Sequence, residues 1–181
     1  MCIRDRIDIL QKHKNTYLWL LDEGEDMRKN LLSYLDKRID QKRIIFAERV
    51  DRGRHLARIK NIDVALDTRI YNGHTTSIEM LQSGIPLITL EGKHFASRVS
   101  TSLLHALEIE ELIAKDIDDY KEIVSKASFE EKNSNAFSKN ALISALLIFQ
   151  YKDQPILHMP YRFLKNLLDI DNGVEKNIKL L

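Results

Sequence analysis

A polar loop that runs directly into a helix is the part of the sequence best suited to binding an anion. The loop begins at Asp67 and ends at Gly73, and His74, Thr75 and Thr76 follow at the predicted start of the helix. The first backbone N–H groups of a helix have no partner within it, so they bind anions, and two hydroxyls add donors. With an imidazole that can donate to a phosphate oxygen, the arrangement suits a diphosphate. A threonine-capped helix with a solvent-facing histidine fits the same residues about equally well.

Two further groups are candidates for contacts with a nucleotide. Glu79, on the same predicted helix, could accept hydrogen bonds from ribose hydroxyls, although a glutamate is more often an ordinary surface residue. The loop after the second predicted strand leads into a basic cluster that contains Arg52, His55 and Arg58. Guanidinium groups bind phosphates and stack on bases. A solvated basic helix start explains the same cluster without any ligand.

These residues need a scaffold that brings them to one place. Four short apolar runs predict strands buried on both faces of a parallel sheet, over residues 17–21, 43–47, 63–67 and 86–90. Amphipathic stretches predict helices over residues 7–14, 27–38, 54–60, 75–82, 95–107, 116–126, 140–151 and 162–168. The alternation predicts an α/β fold with a doubly wound parallel sheet. Ligands of such sheets bind beyond the carboxyl ends of the strands, which is where the loops described above lie.

Composition narrows the possible partners. The chain has 181 residues, enough for one domain with a sizeable core, and a net charge of +1, which favours neither nucleic acid nor an anionic membrane. Its apolar runs are shorter than the roughly 20 residues of a membrane helix. The single cysteine, Cys2, fits a reducing compartment, and we expect a cytoplasmic protein. No set of cysteines and histidines has the spacing of a metal site.

Several segments, taken in order, resemble the O-GlcNAc transferase family of glycosyltransferases. Residues 63–76 (DVALDTRIYNGHTT) are similar to its "LDT…YNGHTT" block, and residues 81–99 are similar to the block that ends in "ASRV". The strands over residues 18–21 (LWLL) and 43–46 (RIIF), and the segment over residues 111–120, match further blocks. The resemblance extends from about residue 9 to residue 120, with a weaker echo over residues 155–167.

The resemblance implies a GT-B fold, in which two Rossmann-like lobes face each other and the second binds the donor. This chain would be the second lobe, over residues 7–151, with a final helix and tail over residues 152–181 packed on or near it. The implied reaction is transfer of a sugar, UDP-GlcNAc being the default donor, to a serine or threonine hydroxyl of a protein, with inversion. No cofactor and no metal would be needed.

Residue roles follow from the same resemblance. His74, Thr75 and Thr76 would hold the diphosphate and stabilise the leaving UDP, and no catalytic base is assigned. On the nucleoside side five positions correspond to the family's motif. Val50 would contact uracil through its backbone, and His55 would pack on or bond the uridine. Arg52, where the family often has lysine, and Arg58 would face the nucleotide, and Glu79 would replace a ribose-binding aspartate.

The sequence also departs from the family's pattern. We expect the diphosphate-binding lysine, the first lobe and the tetratricopeptide repeats upstream of this chain, so the chain alone should be inactive. Gln82 replaces the family's usual tryptophan, and Leu90 and Glu91 replace an apolar–proline pair. Four alternatives stay open: a degenerate donor site, another GT-B enzyme such as a UDP-sugar 2-epimerase or a small-molecule glycosyltransferase, a non-catalytic UDP-sugar-binding module, and a structural domain without a ligand.

Overall fold

The computed structural model describes residues 3–35 and 38–129, and in this part of the chain every strand pairing is parallel. Five short strands form two sheets: β1 (Leu18–Leu21) pairs with β2 (Ile44–Ala47), and β3 (Ala65–Leu66), β4 (Leu87–Leu90) and β5 (Ile113–Ala114) lie in the order β3-β4-β5. All four predicted strands are present, although β3 has two residues instead of five. The strand β5 was not predicted.

Helices connect and cover these strands. They are α1 (Ile3–Lys12), α2 (Glu25–Leu35), α3 (Arg52–Ile59), α4 (Thr75–Gln82), α5 (Val99–Ala106) and α6 (Ile117–Phe129), with 3₁₀ turns at Gln41–Arg43, Phe95–Ser97 and Glu110–Leu112. The bounds of α4 agree with the prediction. The single helix predicted over residues 95–107 is instead a 3₁₀ turn and α5, because Arg98 between them leaves helical geometry at φ −126° and ψ 0°. The predicted helices over 140–151 and 162–168, and the tail over 152–181, lie outside the described residues.

The position of β4 in the core explains why polar and apolar residues do not alternate along this strand. All four of its residues are buried, since α4, α5 and α6 pack against the sheet that contains it. Ile88 on β4, Leu104 on α5 and Leu112 are fully enclosed. A second cluster lies against β1 and β2, and Leu66 packs against both clusters. The two sheets therefore share one continuous apolar interior.

The strand direction positions two loops for binding. Within each sheet the carboxyl ends of the parallel strands lie at one edge. The loop after β2 leads into α3, and the loop after β3 leads into α4. The start of α3 lies against the middle of α4, because Arg52 in the first turn of α3 contacts Glu79 of α4. In the described part of the chain, no helix has the length and apolarity to cross a membrane.

Candidate functional site

The loop between β3 and α4 is anchored by a buried carboxylate. Asp67 is 6% exposed. Its Oδ1 accepts hydrogen bonds from the backbone N–H groups of Thr68 (2.8 Å) and Gly73 (2.9 Å), and its Oδ2 accepts one from the Thr89 hydroxyl (2.7 Å). A carboxylate with three donors is well satisfied in a buried place. Asp67 therefore closes the loop and ties it to β4.

Asn72 provides a second anchor, toward α5. Its backbone N–H donates to the carbonyl of Ala96 (2.7 Å), its amide nitrogen donates to the carbonyl of Thr68 (2.8 Å), and its Oδ1 accepts from the Ser100 N–H (3.3 Å). Ser77 of α4 and Ser100 of α5 also meet, with 3.0 Å between their hydroxyl oxygens. Sequence reasoning missed this buried polar set. The available signal was two small serines at buried positions of otherwise apolar helix faces.

Because the loop is anchored, the position of the first turn of α4 is restricted. A Cβ on Gly73 would lie 2.5 Å from the Ser77 hydroxyl and 2.6 Å from the Thr76 hydroxyl, so any larger residue would displace these side chains. Thr75 and Thr76 are both exposed. His74 occupies the N-cap position, but its side chain does not cap the helix. The first-turn N–H groups and two hydroxyls therefore face the outside together, as an anion site requires.

The His74 ring is held between two aromatic side chains. It stacks on Tyr71, with centroids 5.1 Å apart and planes 5° apart, and it meets the Phe95 ring edge-on at 6.3 Å. Tyr71 is 64% exposed and Phe95 is 82% exposed. The Nε2 atom of His74 is buried and has no hydrogen-bond partner within the described structure. An unsatisfied polar atom of this kind is costly, and a phosphate oxygen is a group that would satisfy it.

The basic cluster on α3 contacts Glu79 across the gap between the two helices. The Arg52 Nε atom lies 3.2 Å from Glu79 Oε1, and His55 Nε2 lies 3.8 Å from Glu79 Oε2. Glu79 is only 7% exposed, so it is not the surface residue that its type alone suggests. The structure thus brings together Arg52, His55, Arg58 and Glu79, which the sequence analysis selected separately. Val50, 38% exposed, lies in the loop before them.

Trp19 of β1 packs beneath this cluster and was not selected from the sequence. Its ring lies nearly parallel to the His55 ring, at 6.5 Å and 15°, and the Arg58 guanidinium lies over its face at 4.9 Å. Arg58 also donates to the carbonyl of Glu48 (2.6 Å). The only sign of this packing in the sequence was a tryptophan in a predicted strand with a basic helix further along the chain, and that sign is weak.

A cavity of about 890 Å³ opens between the two sheets. Of the residues described above, its lining includes Trp19 and Arg58 on one side, and Thr68, Gly73 and Thr76 from the loop and α4 on the other. This volume lies within the range of small-molecule sites. The Glu79 carboxylate lies beside Arg52 and His55, and Arg58 contacts His55, so this side of the site offers cationic groups together with one acceptor for ligand hydroxyls. Among the described residues no group of three or more histidine, cysteine, aspartate or glutamate side chains could hold a metal ion.

The fold and this anion-binding edge define a Rossmann-like lobe of the kind that binds nucleotides, and comparison with known proteins gives the family. Residues 1–145 match the model of glycosyl transferase family 41, so the chain belongs to that family. This confirms the resemblance to O-GlcNAc transferases. The roles carried over to single residues stay predictions.

Relatives and solved structures agree with the family. The chain is 36% identical over 118 residues to the UDP-N-acetylglucosamine–peptide N-acetylglucosaminyltransferase of Caenorhabditis elegans, covering 65% of this chain and 10% of that protein. It is 32% identical over 143 residues to the probable enzyme of that name, SEC, of Arabidopsis thaliana, covering 77% and 14%. A lysine-to-methionine mutant of the Thermobaculum terrenum O-GlcNAc transferase superposes with a TM-score of 0.76 at 25% identity, covering 91% of this chain and 31% of that one. The predicted fold class is confirmed, and the chain spans only a small part of each of these proteins.

Proposed function

We propose that this chain is the donor-binding lobe of a glycosyltransferase that uses a UDP-sugar, with UDP-GlcNAc as the first candidate. The observation that carries the proposal is the start of α4, where the exposed Thr75 and Thr76 lie beside a His74 whose Nε2 has no partner. Two relatives are named for transfer of N-acetylglucosamine from its UDP form to a peptide. The proposed acceptor is therefore a serine or threonine hydroxyl of a protein.

The proposed contribution of this lobe lies on the leaving-group side of the reaction. In an inverting transfer the acceptor oxygen bonds to the anomeric carbon while the bond from that carbon to the UDP oxygen breaks, and UDP leaves with the electron pair. The negative charge that develops on the diphosphate would meet the first-turn N–H groups of α4, the hydroxyls of Thr75 and Thr76, and the His74 imidazole. Preorganised donors of this kind stabilise such charge strongly. We propose that they do so without a metal.

The nucleoside is proposed to bind on the α3 side. His55 and the backbone at Val50 would hold uracil, while Arg52 and Arg58 would face the nucleotide. Glu79 already has Arg52 as a partner at 3.2 Å, so a ribose hydroxyl would share its carboxylate with that guanidinium. One residue of each group, Arg58 and Thr76, lines the same cavity, which supports one ligand spanning the two groups.

The remaining partners of the proposed enzyme belong to the whole protein. The chain covers about a third of the solved relative and a smaller fraction of the curated ones. We propose that an upstream lobe completes the active site and supplies the diphosphate-binding lysine, that tetratricopeptide repeats precede that lobe, and that the protein acts in the cytoplasm. Transfer is expected only when the upstream lobe is present.

Calorimetric titration with UDP tests the donor site directly. The wild-type chain, His74→Ala and His105→Ala are titrated with UDP and with CDP, and urea unfolding checks that each is folded. His105 is the matched control because it lies on α5 and pairs with the exposed Glu110. We expect His74→Ala to lose roughly tenfold or more in UDP affinity and His105→Ala to keep it. Unchanged UDP affinity in a folded His74→Ala chain would contradict the proposed diphosphate site.

A transfer assay tests the reaction and separates the rival activities. The full-length gene product is incubated with UDP-GlcNAc and a library of serine- and threonine-containing peptides, and the products are analysed by mass spectrometry. A peptide mass increase equal to one N-acetylhexosamine supports the proposal. Conversion of the UDP-sugar without any peptide acceptor points to an epimerase or a small-molecule transferase, and tight UDP binding without turnover points to a binding module.

A further inference from the structure

The Arg58 side chain is held at three points and is not free to follow a ligand. One guanidinium nitrogen, Nη1, donates to the Glu48 carbonyl at 2.6 Å, and the other, Nη2, lies 3.3 Å from His55 Nδ1. The guanidinium plane covers the Trp19 ring, with its carbon 4.9 Å from the ring centroid. These contacts join β1, the loop after β2 and α3. The geometry of Arg58 is therefore fixed by the fold itself.

The contact between Arg58 and His55 determines which ring nitrogen carries the proton. A guanidinium nitrogen can only donate a hydrogen bond, because arginine has no acceptor and stays charged. His55 Nδ1 must therefore be the acceptor, and it cannot carry a proton in this arrangement. A neutral imidazole has one protonated nitrogen, so the proton lies on Nε2.

The rest of the environment of His55 agrees with that tautomer. Nε2 lies 3.8 Å from the carboxylate of Glu79, which is an acceptor. The ring is stacked parallel to Trp19 at 15°, so it cannot rotate to exchange its two nitrogens without leaving the stack. His55 is partly buried, with 23% of its side chain exposed.

We infer that Arg58 is a positioning residue that fixes His55 in the Nε2–H tautomer, so that His55 presents a hydrogen-bond donor to the site. Any group that bonds to His55 Nε2 must then be an acceptor, such as a carbonyl, hydroxyl or phosphate oxygen. The tautomer follows from the contacts of His55 with Arg58 and Glu79 alone. Its consequence for UDP rests on the proposed function.

Nitrogen-15 NMR of the histidine rings tests the tautomer without any ligand. Long-range correlations are recorded on the ¹⁵N-labelled chain at a pH above the range in which an ordinary histidine titrates. The His55 signals are assigned by their loss in His55→Gln. Arg58→Met removes the donor but keeps an apolar stem over Trp19. Arg54→Met is the matched control, since Arg54 lies on the same helix and pairs with Asp51 instead.

We expect a single tautomer with Nε2 protonated in the wild-type chain and in Arg54→Met, and averaged shifts with a measurable Nδ1–H fraction in Arg58→Met. A protonated Nδ1 in the wild-type chain would overturn the inference, and this outcome is decisive even if Arg58→Met does not fold. A folded Arg58→Met chain with the wild-type tautomer would overturn it as well. UDP affinity is measured in parallel and should fall roughly tenfold in Arg58→Met only. Absence of UDP binding together with the expected tautomers would overturn the proposed function and leave this inference intact.

Discussion

Asp67 and Gly73 are joined by a 2.9 Å hydrogen bond from the Gly73 backbone N–H to the Asp67 carboxylate, across the loop between β3 and α4. The same carboxylate also accepts from the Thr89 hydroxyl, so the loop is tied to the central strand β4. The anchor at Gly73 and the first turn of α4, the proposed diphosphate site, are thus separated by a single residue, His74. The position of the first turn of α4 therefore depends on a buried carboxylate that need not touch the ligand.

Replacing that carboxylate should destabilise the domain. In Asp67→Asn one oxygen becomes an NH₂ group, which must face a former donor, so at least one buried hydrogen bond is lost. We expect the free energy of unfolding to fall by about 1–3 kcal/mol, measured by urea denaturation. Asp63→Asn is the control, since Asp63 precedes the same strand and is exposed. Equal stability of Asp67→Asn and wild type would show that the loop does not depend on this anchor.

A methyl group at Gly73 should disturb binding more than folding. The added Cβ would lie 2.5 Å from the Ser77 hydroxyl and 2.6 Å from the Thr76 hydroxyl, so these two side chains of the first turn of α4 must move. We expect Gly73→Ala to lose UDP affinity by roughly tenfold or more in calorimetry. Gly53→Ala is the control, because the nearest atom to its Cβ is a side-chain oxygen of Asp51 at 3.3 Å and alanine favours a helix. If both variants bind UDP like wild type, the first turn of α4 is not the diphosphate site.

Glu79 should act as the link between the two helices of the site. Glu79→Ala removes the partner of Arg52 and the carboxylate beside His55 Nε2. Because His55 keeps its contacts with Arg58 and Trp19, the effect should come from Arg52 and from the lost acceptor for a ribose hydroxyl. We expect a roughly tenfold loss of UDP affinity in Glu79→Ala and a smaller loss in Glu79→Gln, which keeps an acceptor oxygen. Glu91→Ala, on an exposed pair with Arg98, should bind normally. Wild-type affinity in Glu79→Ala would remove this residue from the site.

The local patterns in the sequence predicted the elements whose signals lie within a few consecutive residues. The apolar run of β4 and the helix α4, closed by Gly84 at φ +75°, are both of this kind. The strand β5 has two residues, and only its pairing with Thr89 and Leu90 makes it a strand. No window along the chain contains that information.

The features of the site can likewise be divided into those that consecutive residues predicted and those that depend on tertiary contacts. The start of α4 was predictable, because a glycine, a histidine and two threonines stand together in the sequence. The packing of Trp19 against His55 and Arg58 was not, because it depends on β1 lying beside β2 and on the direction in which α3 leaves the sheet. The burial of Glu79 was missed for a similar reason, since its cover comes from α3.

Tyr120 should make the domain sensitive to alkaline pH. It is 1% exposed, its hydroxyl donates to the Ile88 carbonyl at 3.0 Å, and burial, followed by the nearby Asp67 carboxylate, raises the pKa of Tyr120 well above the ordinary value of about 10. The neutral phenol is therefore favoured in the folded state. Its contribution to stability is complete below about pH 10 and is lost as the pH rises toward the folded-state pKa, because the unfolded chain ionises first.

The substitution Tyr120→Phe should remove that sensitivity while weakening the domain at neutral pH. We expect a loss of about 0.5–1.5 kcal/mol in the free energy of unfolding near pH 7, from the missing hydrogen bond. Between about pH 9 and 11 the stability of Tyr120→Phe should fall less steeply than that of wild type, as measured by urea denaturation at several pH values. Tyr17→Phe, at a 66% exposed tyrosine, should follow the wild-type curve. Parallel curves for wild type and Tyr120→Phe would mean that the Tyr120 phenol ionises as readily in the folded state as in the unfolded chain.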